Sequence, residues 1–402
     1  MDNAQSRIKT LSLATYRLAD RMSRLGTESA FEVLARAKKL EAQGKHIIHL
    51  QIGEPDFDTP ANVVEAGIKA LREGWTHYGP AAGLPQLREA VAAEMRRTRG
   101  IEVAAENVVV FPGAKPCMSY LLEALIQEGD EVIYPNPGFP IYESMIRFTG
   151  GKAVPLPLLI ENDFSFDVDA VEARITPKTR LLIINSPGNP TGGVVPRRTI
   201  EAVARLCIER NIFVLSDEIY SRVLYQPEYF SITQVPGMLE RTCILDGFSK
   251  TYSMTGWRLG YGVMPTALAE RLTQLAINYN SCVAGFTQLA GVEALTGDQS
   301  AVRSMVTEFD RRRKLIVAGL NAIKGVRCLE PRGAFYVFPS IVGTGMKARE
   351  LADRLLNEAG VAVLPGTSFG AHGEGHLRLS FANSAANLEL ALERMRGLLG
   401  GA

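Results

Sequence analysis

Four short apolar runs in the middle of the chain each end on residues that can do chemistry. NVVVF (107–111) is followed by PGAK, a glycine turn leading into a helix whose first amides point outward as an anion cradle. RLLIIN (180–185) is followed by SPGNPTGG (186–193), a rigid turn that carries Asn189. IFVLS (212–216) gives way to Asp217, Glu218 and Tyr220, and CILDGF (243–248) to Ser249 and Lys250. An anion cradle, an amide, a carboxylate beside a phenol, and an amine thus stand at successive strand ends. In FSKTYSMTGWRLGYG (248–262) Lys250 sits between two hydroxyl residues, and Arg258 follows eight positions on. That stretch alone reads equally well as a solvated turn, and a lone Asp after a strand is commonly a helix cap. All four sets in one sheet exceed what capping needs.

These runs, with DEVIY (130–134) and LGYGVM (259–264), are rich in Val, Ile and Leu without polar alternation, as strands covered on both faces are. Helical patterns such as PCMSYLLEALIQEG (116–129) and RTIEAVARLCIERN (198–211) lie between them. The alternation predicts an α/β domain with a mostly parallel central sheet flanked by helices, its ligand beyond the carboxyl ends of the strands. Further on come the long charged helix 300–325, the apolar strand GAFYVFP (333–339), another helix, and HLRLSFA (376–382), a smaller α+β unit. The expected division is a large domain over 61–295 and a small C-terminal domain over 296–402, with the N-terminal segment 1–60 packing against the small one.

With 402 residues, two domains are the natural expectation, and a net charge of +1 suggests neither a nucleic acid nor a membrane as partner. The five cysteines form no CxxC pair, which argues for a reducing compartment and against a structural metal. No segment has the length and apolarity of a signal peptide or membrane span, so a cytoplasmic location is expected.

Nine motifs, in order from about residue 50 to 382, make the chain resemble the fold-type I pyridoxal-phosphate enzymes, and most closely the class I/II aminotransferases. They are IGEPDFDTP, YGPAAGLPQLREA, PGAK, NPGFPIY, NSPGNPTGG, SDEIY, SKTYSMTGWRLGY, GAFYVFP and HLRLSFA. The resemblance implies that pyridoxal 5'-phosphate is the cofactor and that Lys250 holds its aldehyde as a Schiff base. Displaced by substrate, the same amine would serve as general acid–base. Asp217 would keep the pyridine nitrogen protonated, and Asn189 with Tyr220 would hydrogen-bond the phenolic oxygen. Gly113, Ala114, Lys115, Ser249 and Arg258 would hold the phosphate, and Phe139 would stack on the ring. Many relatives carry Ser or Thr where this chain has Gly247, so fewer hydroxyls would serve the phosphate. Arg378 would grip the substrate α-carboxylate through two parallel bonds, with Gly53 leaving room for it. Tyr78 matches a tyrosine that reaches the neighbouring subunit's cofactor, which implies a homodimer with shared sites.

Transfer of an α-amino group from an L-amino acid to a 2-oxo acid, 2-oxoglutarate or pyruvate, by a ping-pong mechanism is the expected activity. A carbon–sulfur β-lyase or related elimination enzyme, or a cyclising synthase acting on a sulfonium substrate, shares the cofactor residues and is the alternative. A ligand-sensing module without catalysis is disfavoured by the retained Lys250 and by the lack of a basic helix-turn-helix segment. An acidic substrate would need a second cation, for which Lys115, Arg24 and His77 are candidates, whereas Trp75 could line an aromatic pocket or pack in the core.

Overall fold

The computed structural model describes residues 17–226 and 229–400. A seven-stranded sheet forms its centre, in the order Val108–Phe111, Gly260–Val263, Thr242–Gly247, Phe213–Asp217, Thr179–Asn185, Glu131–Asn136, Lys152–Pro157. Neighbours from Thr242–Gly247 to Lys152–Pro157 run parallel. Gly260–Val263 runs antiparallel to both its neighbours. Its composition could not announce that direction, because an antiparallel strand covered on both faces is as uniformly apolar as a parallel one. The edge strand Lys152–Pro157 gives no clear sequence signal: only Leu156 in it is buried, and it contains Pro155 and Pro157, tolerable only where one side of the ladder is free.

Apolar side chains on the two sheet faces, such as Val109, Leu181 and Leu215 on one and Ile133, Leu182 and Val214 on the other, enter separate buried clusters. Helices Lys115–Leu125 and Arg197–Glu209 return the chain between strands and turn residues such as Leu121 and Val203 inward. Helix Gly285–Thr296 packs on Ala61–Arg72 and Pro85–Arg99.

The later part of the chain forms a second, three-stranded antiparallel sheet in the order Leu364–Pro365, Leu377–Ser380, Tyr336–Val337. Ile48–His49 pairs in parallel with Val361–Ala362, so the early segment joins the late one. Arg312, on helix Ser300–Asn321, holds both carboxylate oxygens of Asp56 at 2.7 and 2.8 Å and lies 5.1 Å from the Phe57 ring centre. This clamp anchors the loop that carries Gly53.

Register brings Asn185 beside Asp217 and Asp217 beside Leu245 at the carboxyl ends of three strands. Gly260 lets the antiparallel strand approach the anion-cradle turn: a Cβ there would lie 2.5 Å from the Ala114 nitrogen and 2.6 Å from the Gly113 carbonyl carbon. Gly247 is required likewise, since its Cβ would lie 2.9 Å from the Gly260 Cα. A hydroxyl side chain at 247 is therefore excluded by backbone packing. Gly260→Ala should cost about 1–3 kcal/mol, because backbone atoms must move to admit the methyl. Chemical unfolding of the coenzyme-free protein tests this, and unchanged stability would show that the turn yields freely.

Candidate active site

The carboxyl ends of the large sheet open into a cavity of about 750 Å³ that the loop around Gly53 and the strand carrying Arg378 close from the other side. Lys250 lines it from the short helix Phe248–Thr251, directly after its strand. Its Nζ donates to the Gly53 carbonyl at 2.7 Å. Burial pulls this amine down to about 8, Glu54 opposes the shift, and the positive charges of Arg378, Lys115 and Arg258 add to it. A free base is thus within reach near neutral pH.

Asp217 lies buried on the same wall. Burial raises its carboxyl to about 6; the Tyr142 hydroxyl and the Ile219 amide, donating at 2.5 and 3.3 Å, favour its charge, while Asp246 and Glu218 oppose it. Those two carboxylates belong to a buried cluster on Arg99, which donates to Glu218 at 3.0 Å, to Asp246 at 2.5 Å and to Ser221 at 2.7 Å. The cluster satisfies two charges that would otherwise be buried unpaired next to Asp217. Neither Tyr142 nor Arg99 was recognised in the sequence. Arg99 ends a helix that reads as a charged surface helix, RRTRG, and only its nearly complete burial reveals it.

Asn189 and Tyr220 both reach the cavity. The Asn189 amide nitrogen donates to Asn185 Oδ1 at 2.8 Å, which fixes the turn, and Asn185 itself lines the cavity. Tyr220 and Tyr336 share a hydrogen bond of 2.8 Å between their hydroxyls, and burial drives the Tyr220 phenol well up. Arg378 is 4% exposed and lies 4.6 Å from the Tyr336 ring centre and 5.0 Å from that of Phe369. It donates to Asn189 Oδ1 at 3.2 Å and to the Gln51 carbonyl, while its Nε has no partner among the described residues. A solvent-facing place for Arg378 on its strand is therefore ruled out. Gly53 is bare because a Cβ would come within 2.3 Å of the Tyr336 hydroxyl oxygen.

Ala114, Lys115, Ser249 and Arg258 line the region where an anion is expected. Gly113 stands just behind, with φ of +91°, and a Cβ on it would lie 2.2 Å from an Arg258 Nη. Arg258 donates to the Thr255 carbonyl at 2.9 Å. Phe139 lines the cavity and meets Tyr142 edge-on, with centroids 5.6 Å apart. Tyr78, at 91% exposed, lies outside this chain's own cavity. Arg24 and His77 do not line the cavity, so of the three cation candidates Lys115 alone does among the described residues. Trp75 is also outside it and packs near Gly285. The five cysteines are free thiols, and no group of metal-ligating side chains occurs among the described residues.

Comparison with known proteins adds to this geometry. The family model for aminotransferase class I and II matches residues 45–395. An aspartate aminotransferase of Pyrococcus horikoshii is 41% identical over 96% of this chain and 98% of its own length. An aromatic-amino-acid aminotransferase of Thermococcus litoralis is 38% identical over 95% of this chain and 98% of its own. The solved structure of the Thermus thermophilus aspartate aminotransferase with maleate superposes with a TM-score of 0.91 at 40% identity, covering 95% of this chain and 100% of that one.

The lowered amine predicts a pH dependence. Because Lys250 falls from an ordinary 10.5 to about 8, the unfolded chain takes up its proton first as pH drops, and the coenzyme-free fold loses stability between those values. The loss should be about 1–2 kcal/mol, less than the full shift implies because the side chain faces a cavity open to water. Lys250→Met should lack this decline, so urea unfolding of both proteins should diverge over that window and run parallel below it. Curves parallel throughout would contradict the enclosed, cation-flanked amine.

Proposed function

The chain belongs to the class I and II aminotransferases, which use pyridoxal phosphate, and we propose that it moves the α-amino group of an L-amino acid to a 2-oxo acid with Lys250 as the working amine. The observation that carries this assignment is that Lys250, Asp217, Arg258 and Arg378 line one cavity, where burial draws the amine down to about 8.

The residues present fit the cofactor. Gly113 is bare where Arg258 crosses it, and the buried Arg378 keeps an unpartnered Nε. Bound there, pyridoxal phosphate supplies an aldehyde to hold the amino group and a ring that accepts the electron pair left by the departing α-proton. Lys250 Nζ would hold the cofactor and would be the group that takes up and returns a proton, its lowered basicity making both directions accessible. Asp217 would be the partner of the ring nitrogen, and a positive charge there would favour its ionised form against the burial that raises it. Asn189 and Tyr220 would hold the phenolic oxygen and Phe139 would face the ring, since all three line the cavity. Arg258, the Ser249 hydroxyl and the amides at Gly113, Ala114 and Lys115 hold the phosphate; the helix beginning at Lys115 adds its positive end. Arg378 grips the α-carboxylate beside Gly53, and its two neutral acceptors leave its charge for the substrate. Lys115 receives the distal carboxylate of an acidic substrate.

The division into a large domain over 61–295 and a small one over 296–402, which residues up to 60 join, is supported by the pairing of Ile48–His49 with Val361–Ala362; residues 1–16 of that segment lie outside the described residues. We infer that this second body closes over the cavity when substrate binds and excludes water. The exposure of Tyr78 suits a homodimer in which it serves the partner's cofactor. Among the described residues no helix is long and apolar enough to cross a membrane, and the free thiols suit a cytoplasmic setting.

Borohydride treatment of the coenzyme-loaded protein should fix the coenzyme to the Lys250 peptide, read by mass spectrometry; label elsewhere would refute the assignment. An amino acid alone should convert the cofactor once per site, whereas continuous release of ammonia would indicate elimination. Arg378→Lys should lower kcat/KM by about 10–100-fold, the worth of a bidentate charged pair. Tyr78→Phe should weaken coenzyme binding, and a monomeric active species in sedimentation would remove that role.

A further inference from the structure

Arg378, Arg258 and Lys115 all face the cavity, but they are not held alike. Arg378 and Arg258 hydrogen-bond only to carbonyl oxygens and meet no carboxylate among the described residues, as suits cations that receive an anion whenever the site is filled. Lys115 is different: its Nζ is paired with the Glu28 carboxylate, which lines the same cavity. Lys115 opens the helix Lys115–Leu125, where the helix dipole is already positive, so an anion at this point is doubly favoured. Without a counter-ion, a neutral ligand would leave a cation facing a largely apolar pocket.

Glu28 is placed to move. It occupies the N-cap of helix Ser29–Glu41 with extended backbone (φ −95°, ψ 112°), yet its side chain caps nothing. Rotating the carboxylate away therefore breaks no helix bond, and solvent is close, since the side chain is 20% exposed. Phe31 and Leu34, further along the same helix, also line the cavity, and the Phe139 ring centre lies 5.3 Å from Lys115 Nζ. Apolar surface for a neutral side chain thus lies beside this ion pair, in a wall that also carries Lys38 and Glu54.

We propose that Glu28 is a specificity residue, a built-in counter-ion that neutralises Lys115 under neutral substrates and swings aside for a second carboxylate. One pocket then accepts both acidic and aromatic or aliphatic amino acids, and acidic substrates bind less tightly than a bare lysine would allow because they must displace Glu28. This rests on the assignment of Lys115 to the distal carboxylate. It predicts opposite effects from removing the two partners.

The test uses coenzyme-loaded enzyme, with calorimetric binding of succinate and 3-phenylpropanoate as unreactive probes and kcat/KM for aspartate and phenylalanine. Glu28→Gln should tighten succinate and raise kcat/KM for aspartate by about 5–10-fold, with 3-phenylpropanoate and phenylalanine unchanged or weaker. Glu28→Ala should act in the same direction, and coenzyme absorbance with thermal unfolding verifies the fold of each variant. Lys115→Gln should weaken succinate by about tenfold and abolish any effect of Glu28→Gln made on top of it. If Glu28→Gln leaves the preference between the probes unchanged while Lys115→Gln lowers it, the counter-ion role falls and the Lys115 assignment stands. If Lys115→Gln leaves succinate binding intact, both fall. Selective loss of activity with arginine in Glu28→Gln would make Glu28 a ligand for cationic side chains and would also overturn the proposal.

Discussion

Everything at this site follows from enclosing one amine among positive charges. Lys250 is drawn down to about 8 chiefly by burial, with Arg378, Lys115 and Arg258 contributing. Enclosure needs two surfaces. The sheet supplies the floor, and the loop that carries Gly53, held by the Arg312–Asp56 pair, supplies the atom that meets Nζ. Separate the two surfaces and the amine returns to water and to an ordinary basicity.

The same enclosure raises the problem of buried negative charge. Asp217 would be costly to keep ionised beside Asp246 and Glu218. Arg99 takes up both of those carboxylates, and Tyr142 donates to Asp217 directly. Buried ion pairs of this kind add little net stability, but breaking one leaves an unpaired charge in low dielectric. Their value here is electrostatic order beneath the strand ends.

Close backbone approach is the third ingredient. Gly113, Gly247 and Gly260 admit Arg258 and the antiparallel strand to distances that no side chain would allow. The absence of a side chain at position 247 therefore has a steric reason. At Gly53 the bare position is demanded by the Tyr336 hydroxyl.

Short-range features were legible in the chain itself. Buried strands show as runs of Val, Ile and Leu, and polar residues just past them, Asn189, Asp217, Ser249 and Lys250, reach the cavity because strand ends in such a sheet share one rim. Direction and edge position were not legible: Gly260–Val263 runs antiparallel, and Lys152–Pro157 hides behind its prolines. Arg378 was legible only through its motif, HLRLSFA. The partners of Tyr142, Tyr336, Arg99 and Glu28 have no local signal, since they stand 75, 116, 119 and 87 positions away. A side chain's type and spacing determine which strand end it occupies, while its charge state depends on what distant segments bring within a few ångströms, and only the folded chain decides that.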